Sequence, residues 1–123
     1  NRANLMVASY LGGCAIATSY VGVVHPFSAG LSVVLGLHHG IANCIALMAL
    51  GEFYKEEHGQ LIAFAEQQAI DLPKNICANL SEDEFESLYK ATIVHEKPLT
   101  NALGTDFRNI LTRRKTHTAM LYL

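Results

Sequence analysis

The feature that most constrains this chain is a long N-terminal stretch without charge. Residues 3–51 contain no Asp, Glu, Lys or Arg, whereas all eleven acidic residues and eight of the nine basic residues follow this stretch. Such a segment can form two membrane spans, each of which needs about 20 uncharged apolar residues. The other solution is a set of helices buried on all sides inside a larger assembly.

Composition favours the buried helices. Small and polar residues interrupt the stretch throughout, and Pro26 and three histidines lie within it. The apolar runs are short, and no Lys/Arg cluster or Trp belt marks a membrane interface. A secretory signal is not expected either, because its basic region would depend on Arg2 alone. We therefore expect no membrane association, and a two-span membrane protein is the less favoured alternative.

The rest of the composition predicts one domain. A chain of 123 residues, half of them apolar, can bury one core but is too short for separate cofactor and substrate domains. A formal charge of −2 argues against nucleic acid as a partner. Cys14, Cys44 and Cys77 form no CxxC pair. We expect them to be buried free thiols of a reducing, cytoplasmic compartment.

Periodicity and turn residues predict an all-α bundle of six or seven helices, without strands or repeats. The clearest local signal is Ser81 followed by Glu84, a capping box, with Leu80 and Phe85 placed for a hydrophobic staple. Gly36 is expected to end the second helix. Helices are expected over about residues 3–21, 27–35, 41–57, 60–70 and 82–95, with Pro98 closing that region, and over 106–111 and 112–122.

Two histidines are the strongest candidates for chemistry. His25 and His39 are separated by one predicted helix and lie at helix junctions, where both side chains can point into a shared cleft. Imidazole is the commonest protein ligand for zinc and iron. Alternatively, His25 caps a helix and His38 or His39 makes a buried hydrogen bond. Two ligands do not complete a metal site, and no carboxylate lies within the uncharged stretch to supply a third.

The other histidines carry less signal. We expect His58 at a solvated helix end, His95 at a surface or interface, and His117 on the surface. No phosphate-binding glycine loop and no Ser-His-Asp arrangement is present. The residues alone therefore assign no catalytic and no cofactor-binding position.

Three runs of the uncharged stretch resemble a known family. Residues 9–13 (Ser-Tyr-Leu-Gly-Gly), 21–26 (Val-Gly-Val-Val-His-Pro) and 38–43 (His-His-Gly-Ile-Ala-Asn) are similar to the C-terminal helical domain of iron-containing (group III) alcohol dehydrogenases. The resemblance covers about residues 3–111. Residues 28–31 and 97–107 look most like its 3-deoxy-D-manno-octulosonate 8-oxidase branch.

This resemblance implies a divalent metal, iron or zinc, that polarises the alcohol oxygen of a sugar acid while hydride passes to NAD(P). It implies that His39 is a metal ligand. In the commoner enzymes another ligand stands where this chain has Val21, so the resemblance assigns that role to His25, with His38 as the fallback. His25 could alternatively contact the substrate or the ligands.

The chain departs from the family in one large respect. The nucleotide-binding domain and the upstream Asp and His ligands are absent, so residues 1–123 would be a partial domain that binds no NAD(P) and is inactive alone. Either the missing N-terminal domain or self-association is then expected to cover its apolar helices. The alternative function is a non-enzymatic helical module, derived from such a domain, that forms homo-oligomers.

Overall fold

The computed structural model describes residues 1–51 and 53–120, and this part of the chain is helical without any strand. The all-α prediction is confirmed. Glu52 and residues 121–123, on which parts of two predicted helices fall, lie outside the described residues. The helices are α1 (Arg2–Ser19), α2 (Val24–Leu35), α3 (His39–Ala49), α4 (Lys55–Gln67), α5 (Glu82–Ile93), α6 (Glu96–Leu103), α7 (Phe107–Ile110) and α8 (Arg113–Met120).

The core is built around α2, which packs against both α3 and α5. Phe27 and Leu31 of α2 are at most 1% exposed, and they meet Ile45 of α3 and Leu88 of α5 in one continuous apolar cluster. Burying side chains of this size contributes roughly 1.5–3 kcal/mol each. The α2–α3 and α2–α5 contacts are therefore the main source of stability.

α2 and α5 approach each other most closely at Gly30. A Cβ atom at this position would lie 2.6 Å from the Thr92 hydroxyl and 2.9 Å from the Leu88 carbonyl oxygen. The Thr92 hydroxyl itself donates a hydrogen bond to that carbonyl at 2.9 Å. Because one of the neighbouring atoms belongs to the α5 backbone, a larger residue at position 30 would force the two helices apart.

We expect Gly30→Ala to lower the free energy of unfolding by about 1–3 kcal/mol through this overpacking. Urea denaturation followed by circular dichroism measures the change. Gly12→Ala is the matched control, since Gly12 also lies within a helix but has no atom within 4 Å of an added Cβ. Alanine there should leave stability unchanged or raise it by up to about 1 kcal/mol. Equal stability of the two variants would contradict the close α2–α5 contact.

The predicted continuous helix over residues 41–57 is wrong. α3 ends at Ala49, and the following turn is packed against the next helix at Gly51, where a Cβ would lie 2.7 Å from the imidazole of His58. His58, expected in solvent, is accordingly half-buried. The expected gap between the helices over 41–57 and 60–70 instead lies inside α4. The chain breaks earlier, in the turn around Gly51.

Pro98 does not close the region after α5, because it lies in the first turn of α6, a helix that was not predicted. Proline is tolerated there, since the first N–H groups of a helix have no partner within the helix. The predicted stop at Gly36 is confirmed, with a left-handed φ of 65°.

The predicted capping box at the start of α5 is present. The Ser81 hydroxyl accepts a hydrogen bond from the Glu84 N–H at 3.3 Å, and the Glu84 carboxylate accepts one from the Ser81 N–H at 2.9 Å. These hydrogen bonds to Ser81 hold the pKa of Glu84 below its usual value. The local signal in the sequence was therefore sufficient to place this helix start.

α1 lies outside the core, and none of its residues is buried. The expectation of buried cysteines is accordingly wrong for Cys14 on α1, and also for Cys44 on α3, which are both exposed. Cys77 is buried, and burial raises the pKa of its thiol to about 11. The described part of the chain therefore does not bury the apolar side chains of α1.

Within residues 1–51 and 53–120, no single helix combines the length and the apolar character of a membrane span. α1 and α2 pass that test only when they are taken together, and they are bent by 111° relative to each other.

Candidate metal site

Two of the predicted site residues lie side by side. His25 is in the first turn of α2 and His39 is the first residue of α3, and their ring centroids are 4.8 Å apart with the rings nearly perpendicular. The two histidines come together because α2 packs against α3. The two side chains that the sequence expects to share one region are therefore close together.

The turn that leads into His25 is fixed by Tyr54. The Tyr54 hydroxyl accepts a hydrogen bond from the N–H of Val23 at 3.0 Å. Gly22 lies directly against the same hydroxyl, and a Cβ there would overlap it. On the other side of His25, the buried Ser28 hydroxyl donates a hydrogen bond to the His25 carbonyl at 2.8 Å. The backbone of His25 is thus held from both directions.

His38, the fallback ligand, has a different role. Its Nδ1 accepts a hydrogen bond from the Gly40 N–H at 3.3 Å, so His38 caps the N-terminus of α3. The side chain is exposed. From the sequence, His38 was expected to make a buried hydrogen bond or to be the fallback ligand, and the structure instead shows it as the exposed N-cap of α3.

A third imidazole, that of His95, lies beside the pair. Its ring centroid is 6.1 Å from that of His25, and the residue is half-buried. His95 was expected at a surface or interface, and the structure places it partly exposed and next to His25. His95 lies just after α5, and the packing of α5 along α2 brings it to the start of α2. The sequence signal closest to a prediction of this position is the capping box at Ser81. It fixes the start of α5, and a helix of about three turns from there places His95 just beyond the end of α5.

The electrostatics of the cluster favour a neutral His25. Burial lowers the pKa of His25, and the neighbouring charges of His39 and His95 lower it further. A neutral imidazole is the form that binds a metal ion. No group of three or more His, Cys, Asp or Glu in the described ranges is arranged to hold a metal. A structural zinc site takes four ligands, so the imidazoles of His25 and His39 alone do not complete one.

α6 ties the end of α1 to this region. The Lys97 ammonium lies 4.1 Å from the centroid of the Tyr20 ring, and the Asn101 amide donates a weak hydrogen bond to the Ser19 carbonyl at 3.5 Å. Glu96 pairs with Arg108. The histidine cluster is thus bordered by the C-terminal end of α1 and the N-terminal turn of α6.

A scan of the chain against protein-family models matched none of them. The resemblance to iron-containing alcohol dehydrogenases therefore depends on the residues quoted above.

We expect Tyr54→Phe to lower the free energy of unfolding by about 1–3 kcal/mol, because it leaves the N–H of Val23 without its partner in a position that is only 1% exposed. Urea denaturation gives the stability, and hydrogen exchange at the Val23 amide reports the loss locally. Tyr10→Phe is the control, since Tyr10 is 72% exposed. Unchanged exchange at Val23 in Tyr54→Phe would contradict the assigned hydrogen bond.

Proposed function

We propose that this chain is the metal-binding helical part of an iron-type alcohol dehydrogenase, in which His25 and His39 are two ligands of a divalent iron or zinc ion. The observation that carries the proposal is the distance of 4.8 Å between the ring centroids of these two histidines, the same two that the resemblance assigns as ligands. The lowered pKa of His25 supports it, because the ligand is then deprotonated near neutral pH.

In this proposal, the role of the chain is to position the imidazole nitrogens that bind the metal. Helices α2 and α3 hold His25 and His39, and the contact between these helices fixes their separation. His95 supplies a further imidazole next to His25, suited to act as a third donor or to accept a proton. A bound divalent metal would supply Lewis acidity, which lowers the pKa of a substrate alcohol.

In this proposal, NAD(P) binds outside these helices. Dinucleotide binding of the doubly wound type needs a parallel sheet with helices on both faces, and the described residues form no strand. In this proposal, a separate α/β domain carries the nicotinamide and the remaining ligands, and we expect no turnover by the 123-residue chain alone. The assignment of the sugar acid 3-deoxy-D-manno-octulosonate as substrate depends on the resemblance of residues 28–31 and 97–107.

The metal content of tag-free protein tests the proposal, measured by plasma mass spectrometry after loading with Fe(II) or Zn(II) and removal of free metal. We expect near-stoichiometric metal in the natural sequence and loss of most of it in His25→Ala/His39→Ala. His38→Asn is the matched control, because it removes the neighbouring imidazole while asparagine still caps α3. His95→Gln should lower the metal content if His95 is the third donor.

Two outcomes would contradict the proposal. One is a natural sequence that binds no metal although circular dichroism shows the expected helix content. The other is metal that persists in His25→Ala/His39→Ala and disappears in His38→Asn.

A second candidate function is a non-enzymatic helical module that forms homo-oligomers, and the exposure of α1 favours it. Leu5, Met6, Tyr10 and Leu11 are each more than half exposed. Exposed apolar side chains are found around the whole circumference of this helix, and such a helix is normally covered on several sides. In this alternative, copies of the chain cover α1 and need no metal to do so.

Light scattering coupled to size exclusion, run in EDTA, separates the two candidates. The second candidate predicts an oligomer that Leu5→Glu/Tyr10→Glu dissociates, because charges on α1 cannot be buried without a partner. Ala63→Glu/Gln67→Glu on α4 introduces two charges at exposed positions and should leave the oligomer intact. A 13.4 kDa monomer would contradict this candidate.

A further inference from the structure

A cavity of about 820 Å³ lies between the C-terminal end of α3 and the helix α8, away from the histidine cluster. Its inner wall is apolar and includes Phe27, Leu50 and Leu111, all of them buried. Met48 and Ile110 extend the apolar wall outward. The volume is in the range of sites that bind small molecules, about 300–1,000 Å³.

The cavity exists because α8 is attached to the fold by one face only. Arg113 forms ion pairs with Glu82 and Glu86 of α5, both at 2.8 Å, and the His117 ring packs edge-on against Phe85 at 4.4 Å. His117, predicted on the surface, is therefore half-buried. Positions 113 and 117 share a helix face. The other face of α8 is left to line the cavity.

That other face is cationic. Arg114 and Lys115 line the cavity, both are exposed, and neither forms an ion pair within the described part of the chain. The described lining residues include no Asp or Glu. The cavity thus combines an apolar interior with a positively charged rim.

We propose that this cavity binds an amphiphile with an unbranched apolar chain and a single anionic head group, of the class of medium-chain carboxylates. The apolar chain packs against Met48 and Ile110, while Arg114 and Lys115 hold the carboxylate. This site is independent of the metal site proposed above.

Calorimetric titration of the whole 123-residue chain with sodium decanoate tests the proposal. We expect saturable binding of one decanoate per chain. Arg114→Gln/Lys115→Gln should weaken it about tenfold, since two charge-assisted contacts are lost. Lys74→Gln/Lys90→Gln is the matched control with two cations removed elsewhere, and it should bind as the natural sequence does.

Three further arms make the result decisive. Ala49→Trp, which fills the cavity, should abolish binding in protein shown to be folded by circular dichroism. Decanol, which lacks the charge, should bind more weakly than decanoate. His25→Ala/His39→Ala should bind decanoate normally, which separates this site from the metal site.

Absence of saturable binding would overturn the proposal, as would equal affinity for decanol or undiminished binding by Arg114→Gln/Lys115→Gln. Sedimentation with phosphatidylglycerol vesicles in the absence of decanoate binding would also overturn it, since the anionic head group would then belong to a membrane surface.

Discussion

The close contact between α2 and α5 is the constraint on which the rest of the structure depends. Gly30 lets the backbone of α5 approach so closely that a single added carbon would collide with it. This contact aligns the two helices along their length, so that residues near the end of α5 meet residues near the start of α2. The proximity of His95 to His25 is a direct consequence, and the buried cluster around Phe27 and Leu88 is another.

Helix ends that depend on interactions between neighbouring residues could be predicted from the sequence. The capping box at Ser81 and the stop at Gly36 involve only neighbours in the chain, and both are present. The proximity of His25 and His39 could also be predicted, because only one helix and two junctions separate them in the chain. The ligand roles of these histidines stay a prediction, because the described residues do not complete a metal site.

The features that sequence analysis missed depend on contacts between distant residues. The break after α3 is set by two contacts: the close packing of Gly51 against the His58 ring, and the hydrogen bond from the Val23 N–H to the Tyr54 hydroxyl. Hydrophobic periodicity reveals neither contact. α6 was missed because Pro98 indicates a helix end when its neighbours are unknown, although the first turn of a helix accepts it. The proximity of His95 to His25 was not predicted either, because it follows from the length of α5 and from its packing against α2.

The uncharged stretch has two different fates within one chain. In α2 and α3 its residues form the core, as an apolar segment requires, whereas α1 finds no cover. The charge pattern alone cannot distinguish the buried helices α2 and α3 from the exposed helix α1. It indicates that an uncharged helix needs to be buried, but not which other residues pack against it.

The contacts of α1 and the histidine pair occur in neighbouring parts of the fold. The end of α1 is held against α6 through Ser19 and Tyr20, next to the turn that begins with His95. His39 is exposed, whereas His25 beside it is half-buried. In the proposed function, another domain would cover α1 and also supply the further metal ligands. In the alternative, a second copy of the chain would cover the helix without a metal.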